Sequence, residues 1–415
     1  MRELLEGSQA IAEVVRRCRP EVVPAYPITP QTHIVERLGR LIKEGALPGS
    51  RFVTVESEFA AMSVAIGASA AGCRTYTATA SQGLLYMAEA LFNAAGLGLP
   101  VVMTVANRAV GAPINIWNDH SDAMSMRDCG WIQLYAADNQ QSVDLHPVAF
   151  RIAEQLSVPA MVCVDGFVLT HAFEPLAVPG QPLLDSWLPR YEPRQSLDID
   201  DPVTIGAMVG PEAFTEVRYL SQLQLLAAEQ AFGEAAGEFA ERTGRPLAPV
   251  SAYRTEDART VVLALGSVTG TLRGAVDAAR AAGHPVGSVE LTLFRPFPHR
   301  LVRAALAGAD RVIVLERAFA PGAGGVVSAD VRTALAGSPV PVETVVAGLG
   351  GRSVREESLV RLLGDGPPAR GGVSFLDLRA DLVAGELARM EARRDSGPTI
   401  RNLLRESAPP GTHVH

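Results

Sequence analysis

The strongest constraint on the fold is a regular alternation of short apolar runs with longer stretches of helical spacing over the first 180 residues. The apolar runs are "EVVPAYPI", "RFVTVE", "RTYTATA" and "LPVVMTVAN", and helix-like stretches such as "SEFAAMSVAIGASAAG" separate them. Strands that alternate with helices in this way form parallel sheets covered on both faces. The alternation therefore predicts an α/β fold built on a doubly wound parallel sheet.

Changes of pattern divide the chain into three parts. A proline-rich, aperiodic connector over 175–215 is followed by a helical pattern at about 215–243, so a first domain that includes the connector is predicted over 1–250. From "TVVLALG" onward, four strands and three helices predict a smaller doubly wound domain over 255–355. Residues 356–415 are predicted to form a C-terminal extension that is helical in parts.

Composition and charge exclude several classes of protein. The chain has 415 residues, a formal net charge of -8 and no long basic run, which argues against a nucleic-acid surface. No apolar stretch is long enough to span a membrane, and charged residues interrupt the first twenty positions, so a cytoplasmic protein is predicted. The four cysteines lie far apart, which predicts neither an iron–sulfur cluster nor any other metal site in this chain.

Polar residues follow four successive strands of the first predicted domain. In open α/β sheets, ligands bind outside the carboxyl ends of the strands. One polar residue there means little, whereas hydroxyl, carboxylate, amide and guanidinium groups at four strand ends predict a ligand site. The residues are Thr29, then Glu56 and Glu58, then Ser81, Gln82 and Gly83, then Asn107 and Arg108.

Some of these residues also have simpler interpretations. Thr29 could cap a helix that starts at Pro30, and Glu58 could be a first-turn carboxylate favoured by the helix dipole. The helix after Glu58 is almost entirely small or apolar, however, so it is buried or at an interface, where a carboxylate needs a partner. The guanidinium of Arg108 can fork onto a carboxylate of the protein or of a substrate.

Three other signals are given structural interpretations. "GSVTG" at Gly266–Gly270 is not G-x-G-x-x-G and predicts a tight strand-to-helix turn. "GDG" at Gly364–Gly366 lacks the downstream context of a thiamine-diphosphate metal motif and predicts a surface loop. His120 and Asp122 in "NDHSD" have no third metal ligand nearby, so a polar loop is predicted there.

A series of motifs in fixed order resembles the alpha subunit of the 2-oxoacid:ferredoxin oxidoreductases, in the pyruvate:ferredoxin oxidoreductase branch. The series covers residues 5–355 and consists of "YPITPQ", "ESEFAAMSVAIGASAAG", "TATASQGLLYM", "ANRAVGAPINIWNDHSDAMSMRDCGWIQLY", "VCVDGFVLTH", "LGSVTGT", "LFRPFP" and "GLGGR". The resemblance implies a pyrimidine-binding domain of thiamine-diphosphate enzymes followed by a domain similar to the transketolase carboxyl-terminal domain.

The resemblance also implies roles for individual residues. Glu58 would meet N1′ of the aminopyrimidine of thiamine diphosphate, where a carboxylate promotes the tautomer that removes the reactive proton. Thr29 and Arg108 would bind the carboxylate of a 2-oxoacid. The remaining predicted cofactor-binding residues are Ile28, Ser81, Gln82 and Gly83.

The implied activity is the oxidative decarboxylation of pyruvate with coenzyme A, with electrons passing to ferredoxin through iron–sulfur clusters. This chain has no credible diphosphate and magnesium motif and no cluster cysteines, so the clusters and half of the cofactor site must lie on other chains. The implied partners are a beta-type subunit that supplies the magnesium site, a gamma-type subunit and a ferredoxin-like delta-type subunit. Alone, the chain is expected to be inactive.

The loop after the fourth strand bears on the substrate. Branches of the family that use 2-oxoglutarate or branched-chain acids typically have a Gly-Pro-Ser-Thr-Gly type of loop, whereas "NRAVGAPIN" resembles the pyruvate branch, with Val110 and Gly111 in place of the usual Leu-Ser. Oxalate and phenylglyoxylate remain alternative substrates. A non-catalytic α/β scaffold is a second alternative. A split transketolase-like enzyme is a third, and it would need additional His and Arg residues at the strand ends, which the sequence does not show.

Overall fold

The computed structural model describes residues 2–364 and 372–393. The chain divides into two compact units, 1–374 and 375–415. Asp365 and Gly366 of the "GDG" motif, and much of the predicted C-terminal extension, lie outside the described residues. In the second unit, the described part is dominated by one helix.

The first half of the chain alternates strands and helices as predicted. Its strands are β1 (Glu3–Glu6), β2 (Val22–Ala25), β3 (Arg51–Thr54), β4 (Tyr76–Thr79), β5 (Val102–Asn107), β6 (Ile132–Tyr135), β7 (Ala160–Asp165) and β8 (Phe173–Leu176). Its helices are α1 (Gly7–Arg17), α2 (Thr32–Lys43), α3 (Glu58–Ala70), α4 (Ser81–Tyr86), α5 (Ala88–Gly96), α6 (Ser121–Ser125), α7 (Asn139–Leu156), α8 (Gln181–Trp187), α9 (Phe214–Leu226) and α10 (Ala228–Thr243).

The second half repeats the pattern on a smaller scale. Its strands are β9 (Val250–Tyr253), β10 (Thr260–Ala264), β11 (Val286–Leu291), β12 (Leu293–Arg295), β13 (Arg311–Glu316), β14 (Val342–Val346) and β15 (Val373–Phe375). Its helices are α11 (Val268–Ala281), α12 (His299–Ala305), α13 (Val327–Ala334), α14 (Glu356–Leu363) and α15 (Ala380–Arg393), with a 3-10 turn at Leu349–Gly351.

The first sheet is parallel along most of its width, which confirms the predicted fold class. Five strands pair in the order β12-β6-β7-β5-β4, and β2 pairs with β3. A parallel bridge between Val22 and Thr75, and a 2.8 Å hydrogen bond from Thr77 Oγ1 to the Pro24 carbonyl, join β2 to β4. The carboxyl ends of β3, β2, β4 and β5 are therefore neighbours along one edge of the sheet.

Alternate residues of the central strands face two different cores. Val102 and Val162 belong to an apolar cluster shared with α1, α2, α7 and α10. Met103 and Met161, each adjacent in sequence to one of these valines, belong to a second cluster that continues into the second sheet. This period-two pattern in fully buried strands is the physical reason that both faces of the sheet are covered.

The second sheet has the order β15-β14-β13-β10-β11-β9. Its four central strands are parallel, as predicted, and β9 adds an antiparallel edge. The sequence "VGSVELTLF" predicts one strand, but the structure divides it into β11 and β12. At the break, the N–H groups of Thr292 and Leu293 both donate to the Pro249 carbonyl, at 3.0 and 3.1 Å. Strand β12 then pairs antiparallel with β6 of the first sheet, with Leu293 opposite Leu134.

The connector and the helical region after it are more divided than the sequence predicts. Within 175–215, helix α8 buries Leu184 and Trp187, and the chain then runs without regular structure to α9. The single helical pattern at 215–243 is two helices, of which α10 packs on the core while α9 buries none of its residues. Within the described ranges, no helix combines the length and apolarity that a membrane span requires.

Candidate active site

The structure brings the predicted site residues together at the carboxyl ends of β3, β2, β4 and β5. Thr29 follows β2, Glu58 follows β3, Ser81 follows β4 and Arg108 follows β5. These strands are adjacent in the sheet, although four helices (α2, α3, α4 and α5) separate them in sequence. The expected grouping of hydroxyl, carboxylate, amide and guanidinium groups therefore exists in space.

Thr29 lies in an exposed turn that precedes a cis Thr29–Pro30 peptide bond. The prediction that Thr29 could cap a helix starting at Pro30 is wrong, because α2 begins at Thr32 with Gln31 at its N-cap. Gln31 is fully buried and its amide donates to the Ala78 carbonyl at 2.6 Å, which fastens the turn to β4. The Thr29 hydroxyl makes no hydrogen bond with the described part of the chain.

Arg108 contacts the same turn. Its Nη1 donates to the Thr29 carbonyl at 3.0 Å and its Nε donates to the Asn115 carbonyl at 3.1 Å. No carboxylate of the described residues pairs with the guanidinium, and Nη2 keeps its donors free. Burial lowers the pKa of Arg108, and the nearby Asp122 opposes this effect. The half-buried cation and the unused Thr29 hydroxyl can therefore receive an external carboxylate.

Glu58 is the first residue of α3 and is 8% exposed. The helix is capped by Ser57, whose hydroxyl accepts the Ala60 N–H at 3.2 Å. The carboxylate of Glu58 makes no hydrogen bond or ion pair within residues 2–364 and 372–393. A buried carboxylate without a partner is costly for a purely structural role, so its partner is expected to come from outside the chain.

Gly83 holds the backbone of α4 against this carboxylate. A methyl carbon built on Gly83 would lie 2.6 Å from Glu58 Oε1 and 2.6 Å from Thr79 Oγ1. The Thr79 hydroxyl is buried and has no hydrogen-bond partner in the described chain. A carboxylate and a hydroxyl that both lack partners fit a ring that carries N–H groups, as an aminopyrimidine does.

The other predicted cofactor-binding residues surround this point less closely. Ser81 is fully buried in a left-handed conformation with φ 49°, and its hydroxyl lies 2.6 Å from the Ala109 carbonyl and in contact with Gln82 Oε1. The amide of Gln82 reaches towards Gly111 in the loop after β5. Ile28 is half-buried and packs against the core.

Asp122 connects two of these strand ends, and the prediction of a polar loop there is wrong. Its side chain is fully buried at the start of α6 and accepts backbone N–H groups from Ser81 at 2.9 Å and Arg108 at 3.0 Å. It also accepts the Asn107 amide at 2.8 Å. Burial raises the pKa of the Asp122 carboxyl to about 6, while the Asn107 and backbone donors oppose that rise. Asp122 thus fixes the positions of Ser81 and Arg108.

A second buried carboxylate, Asp165, ends β7 and joins the two sheets. It lies 2.5 Å from His120 Nε2 and 2.8 Å from Arg317 Nη1, and it accepts the Ser267 N–H at 2.8 Å. Burial alone would raise the pKa of Asp165, but His120 and Arg317 outweigh it and hold the pKa well below its usual range. Ser267 follows Gly266, whose φ of 75° confirms the tight turn predicted at "GSVTG".

Sequence reasoning missed Gln31, Thr79, Asp122 and Asp165. A signal was available for Asp165, because a carboxylate directly after five apolar residues of a buried strand requires a buried partner. Asp122 had no comparable signal, since its donors are backbone groups of distant strand ends. Such donors can be identified only when the strand order is known.

Comparison with known proteins identifies the family to which the chain belongs. Residues 13–235 match the profile described as "Pyruvate flavodoxin/ferredoxin oxidoreductase, thiamine diP-bdg", and residues 258–359 match "Pyruvate:ferredoxin oxidoreductase core domain II". The chain belongs to the pyruvate:ferredoxin oxidoreductase family. The resemblance seen in the ordered motifs is thereby confirmed, and the first half of the chain carries the thiamine-diphosphate-binding domain of this family of oxidoreductases.

Relatives within the pyruvate:ferredoxin oxidoreductase family are similar over nearly their whole length. The chain is 44% identical over 391 residues to the pyruvate synthase subunit PorA of Methanosarcina barkeri, covering 92% of this chain and 97% of that protein. It is 40% identical over 370 residues to PorA of Thermotoga maritima, covering 88% and 94%. It is 38% identical over 357 residues to the ketoisovalerate oxidoreductase subunit VorA of Pyrococcus abyssi, covering 85% and 90%.

Two solved structures share the fold of this family member. One is 2-oxoglutarate:ferredoxin oxidoreductase from Magnetococcus marinus, with TM-score 0.68, 20% identity, and coverage of 87% of this chain and 64% of that chain. The other is a split gene transketolase, an inactive beta4 tetramer, with TM-score 0.50, 14% identity and coverage of 86% and 95%. At these identities, the similarity shows the α/β fold alone.

Proposed function

We propose that this chain is the alpha-type subunit of a complex that oxidatively decarboxylates pyruvate with coenzyme A to give acetyl-CoA and CO2. The observation that carries the proposal is the buried, unpartnered Glu58 carboxylate, adjacent in the sheet to the Thr29–Arg108 pair, in a chain of the pyruvate:ferredoxin oxidoreductase family. The Glu58 carboxylate needs an N–H donor, which the cofactor ring would supply. The Thr29–Arg108 pair can bind an anion, which the 2-oxoacid would supply.

Glu58 would hold the proton at N1′ of the aminopyrimidine, and Gly83 leaves the space that this contact needs. Thr79, whose hydroxyl has no partner in the described chain, would accept or donate a second hydrogen bond to the same ring. Thiamine diphosphate, when bound, supplies the nucleophilic carbon and the electron sink for decarboxylation of a 2-oxoacid. Ser81, Gln82 and Ile28 would line the remainder of the cofactor site.

Arg108 and Thr29 would bind the carboxylate of the 2-oxoacid. The guanidinium supplies a charge-assisted hydrogen bond through Nη2, and the Thr29 hydroxyl supplies a neutral one. Because Nη1 is already bound to the Thr29 carbonyl at 3.0 Å, the cation and the turn form one unit before any substrate arrives. Because these binding groups are already ordered, no further entropy is lost in ordering them when the reacting carbonyl of the 2-oxoacid is positioned.

The chain would act only with partner subunits. Phe59, the residue after Glu58, is 38% exposed, and its ring centroid lies 6.3 Å from that of Tyr86, which is 61% exposed. On α5, Phe92 is 46% exposed. An exposed aromatic face beside a half-formed cofactor site suits an interface with a chain that supplies the diphosphate and magnesium half. A gamma-type and a ferredoxin-like delta-type subunit would carry the iron–sulfur clusters and pass electrons to ferredoxin. The predicted cytoplasmic location stays a prediction.

Pyruvate is proposed because of the "NRAVGAPIN" loop and because the relatives at 40% and 44% identity are named pyruvate synthase subunit PorA. Overall identity separates the candidates poorly, since the ketoisovalerate oxidoreductase relative is 38% identical and the PorA relatives named above are 40% and 44% identical. A branched 2-oxoacid is therefore the second candidate, and oxalate and phenylglyoxylate follow. A non-catalytic scaffold is disfavoured because it would gain nothing from an unpaired buried Glu58.

The test is a coenzyme A-dependent viologen-reduction assay on the complex, co-expressed with its neighbouring subunits and purified without oxygen. Pyruvate, 2-oxoisovalerate, 2-oxoglutarate, oxalate and phenylglyoxylate are compared. A Glu58→Gln complex is the test variant, and Glu36→Gln, which changes an exposed glutamate on α2, is the control.

If pyruvate gives the fastest reduction, and if that activity is lost in Glu58→Gln and kept in Glu36→Gln, the proposal is supported. If the complex prefers another acid and the activity still depends on Glu58, the proposed role of the site holds, but the substrate is that acid and not pyruvate. If a complex that contains thiamine diphosphate and intact clusters reduced viologen with none of these acids, the proposed function would be wrong.

A further inference from the structure

We propose that Glu6, His33 and His171 form a binding site for a divalent transition-metal ion such as Zn²⁺. One ligand atom from each of these residues lies within 4.8 Å of the other two. His33 Nδ1 is 2.7 Å from Glu6 Oε1, and the rings of His33 and His171 are 4.8 Å apart. The proposal is independent of the proposed catalytic function.

The charge balance around Glu6 favours a cation. The Glu6 side chain is only 8% exposed, yet within the described part of the chain no Arg or Lys pairs with it. Its hydrogen bonds come from Gln9 Nε2 at 3.2 Å and from the His33 ring. A buried carboxylate therefore depends on imidazoles for compensation, and a metal ion shared with those imidazoles would supply the missing positive charge.

Outer hydrogen bonds already orient two of the three ligands. His171 Nδ1 lies 2.7 Å from Thr170 Oγ1, and that hydroxyl accepts the Phe167 N–H at 2.8 Å. An imidazole that donates its Nδ1–H to the hydroxyl presents the lone pair of Nε2 to a metal. Gln9 likewise contacts Oε2 of Glu6 and leaves Oε1 facing His33.

The chemistry of the donors selects the class of ion. Two imidazole nitrogens and one carboxylate oxygen suit Zn²⁺, Co²⁺, Ni²⁺ or Cu²⁺, whereas Mg²⁺ and Ca²⁺ prefer sites made of oxygen ligands. The His33 side chain is 48% exposed, so an ion can enter from solvent and keep a water ligand. The three ligands come from the residue before α1, the first turn of α2 and the segment after β7, so a bound ion would cross-link three parts of the first unit.

The sequence contains no local motif for this site, which explains why none was predicted. The ligands are separated by long stretches of chain, and they meet because α1 and α2 pack together and β8 pairs with β1. Of the three ligands, His33 lies four residues after Thr29, in the first turn of the helix that follows. The proposed metal site shares no residue with the candidate active site.

The test uses the full 415-residue chain with His413→Gln and His415→Gln, because that histidine pair in the sequence "THVH" could itself bind metal. This parent is titrated with Co²⁺ while visible d–d absorption is recorded, and Zn²⁺ is then added as competitor. We expect a saturable band with one Co²⁺ per chain that Zn²⁺ removes. We also expect Zn²⁺ to raise the unfolding temperature of the parent.

Single replacements of the ligands, Glu6→Gln, His33→Gln and His171→Gln, are compared with His299→Gln, an exposed histidine on α12. The ligand variants should lose the band and the Zn²⁺-dependent thermal shift, and the control should keep both. Thr170→Val should weaken binding by about 10- to 100-fold, the range for loss of an outer hydrogen bond. His33 is exposed, so His33→Gln separates loss of binding from loss of folding.

Two results would overturn the proposal. One is a parent chain that shows no saturable Co²⁺ band and no thermal shift with Zn²⁺. The other is a band that survives in a His33→Gln/His171→Gln double variant, because the ion would then be bound elsewhere.

Discussion

At the scale of single residues, three buried carboxylates near the sheet edge are compensated in three different ways. Among the described residues, Asp165 pairs with the Arg317 guanidinium and contacts the His120 ring, Asp122 accepts hydrogen bonds from N–H donors, and Glu58 has no partner. The first two arrangements satisfy the charge within the chain and are therefore structural. The third leaves a carboxylate without a partner among the described residues, and this difference, more than burial alone, supports the proposed role of Glu58.

Replacement of Gly83 tests the close approach at Glu58. In Gly83→Ala, the new methyl group would lie 2.6 Å from Glu58 Oε1 and Thr79 Oγ1, so the carboxylate must move. We expect activity of the assembled complex to fall about 10-fold or more, which corresponds to about 1.4 kcal/mol of transition-state stabilisation. Viologen reduction and thiamine-diphosphate content are the measurements.

Gly237→Ala on α10 is the matched control, because no atom of residues 2–364 and 372–393 lies within 4 Å of a methyl group there. Alanine in this helix should leave activity unchanged and stabilise the chain by about 0.5–1 kcal/mol. Full activity of the Gly83→Ala complex would mean that the contact between Gly83 and Glu58 is not needed for catalysis.

Asp122→Asn tests whether this carboxylate positions the strand ends. An amide nitrogen would face backbone N–H donors of Ser81 and Arg108, which would lose an acceptor in the buried interior. We expect a loss of about 1–3 kcal/mol in the free energy of unfolding. Urea denaturation at pH 7.5 measures it. Asp138→Asn, an exposed N-cap at which Asn is as favourable as Asp, should change little. Equal stability of both variants would contradict the positioning role.

At the scale of elements, helix α7 is joined to the sheet by a buried polar chain. Tyr76 of β4, Thr104 of β5 and His146 of α7 are linked by two hydrogen bonds of 2.6 Å each, and the other ring nitrogen of His146 meets the Ser142 carbonyl at 2.6 Å. All three residues are fully buried. These hydrogen bonds fix the position of α7 on the sheet, and His146 is an imidazole buried within them.

His146 predicts a pH dependence of stability. Burial lowers the pKa of this imidazole from 6.5 to about 4. Above pH 6.5, the His146 imidazole is mostly neutral in both the folded and the unfolded chain. As pH falls towards 4, only the unfolded chain takes up the proton, so stability is lost by up to about 3 kcal/mol. Urea denaturation between pH 4 and 7.5, on the natural chain and on His146→Gln, measures the difference. A difference that stayed constant with pH would refute the assignment.

Prediction from sequence succeeded where local pattern determines structure. The alternation of β4, α4, β5 and the following elements is local, so the strand ends that carry Thr29, Glu58, Ser81 and Arg108 were found together with the sheet type. It failed where the partner is distant in sequence. The apolar run breaks into β11 and β12 because β12 pairs with β6, which lies far away in sequence. The role of Asp122 depends on the order of the strands in the sheet. Neither feature can be predicted from neighbouring residues alone.

At the scale of the whole molecule, the Asp165 cluster is the polar link between the two sheets. Asp165 ends β7 of the first sheet, while Ser267 and Arg317 follow β10 and β13 of the second. Arg317 is 8% exposed, and its Nε has no hydrogen-bond partner in the described chain. The link is therefore buried, and it should be sensitive to removal of either charge.

Arg317→Gln tests this link. The change leaves Asp165 buried with less compensation, and breaking a buried pair typically costs about 3–5 kcal/mol. We expect a loss of stability near the lower end of that range, because His120 remains beside the carboxylate. Arg259→Gln removes an ion pair whose side chains are 76% and 58% exposed, and it should cost about 0–1 kcal/mol. Similar losses in thermal and urea denaturation for both variants would argue against a link between the sheets.

Strand β12 has a consequence for how such a chain can be divided or recombined. Three residues from the second half of the chain complete the border of the first sheet, where Leu293 is fully buried opposite Leu134. A chain ending between α10 and β9 would expose the backbone groups of β6 as a template for strand addition and aggregation. The two halves are therefore not interchangeable modules. Gene fission or domain grafting at that junction should yield folded protein only when the two fragments associate before the unpaired edge of β6 pairs with another chain.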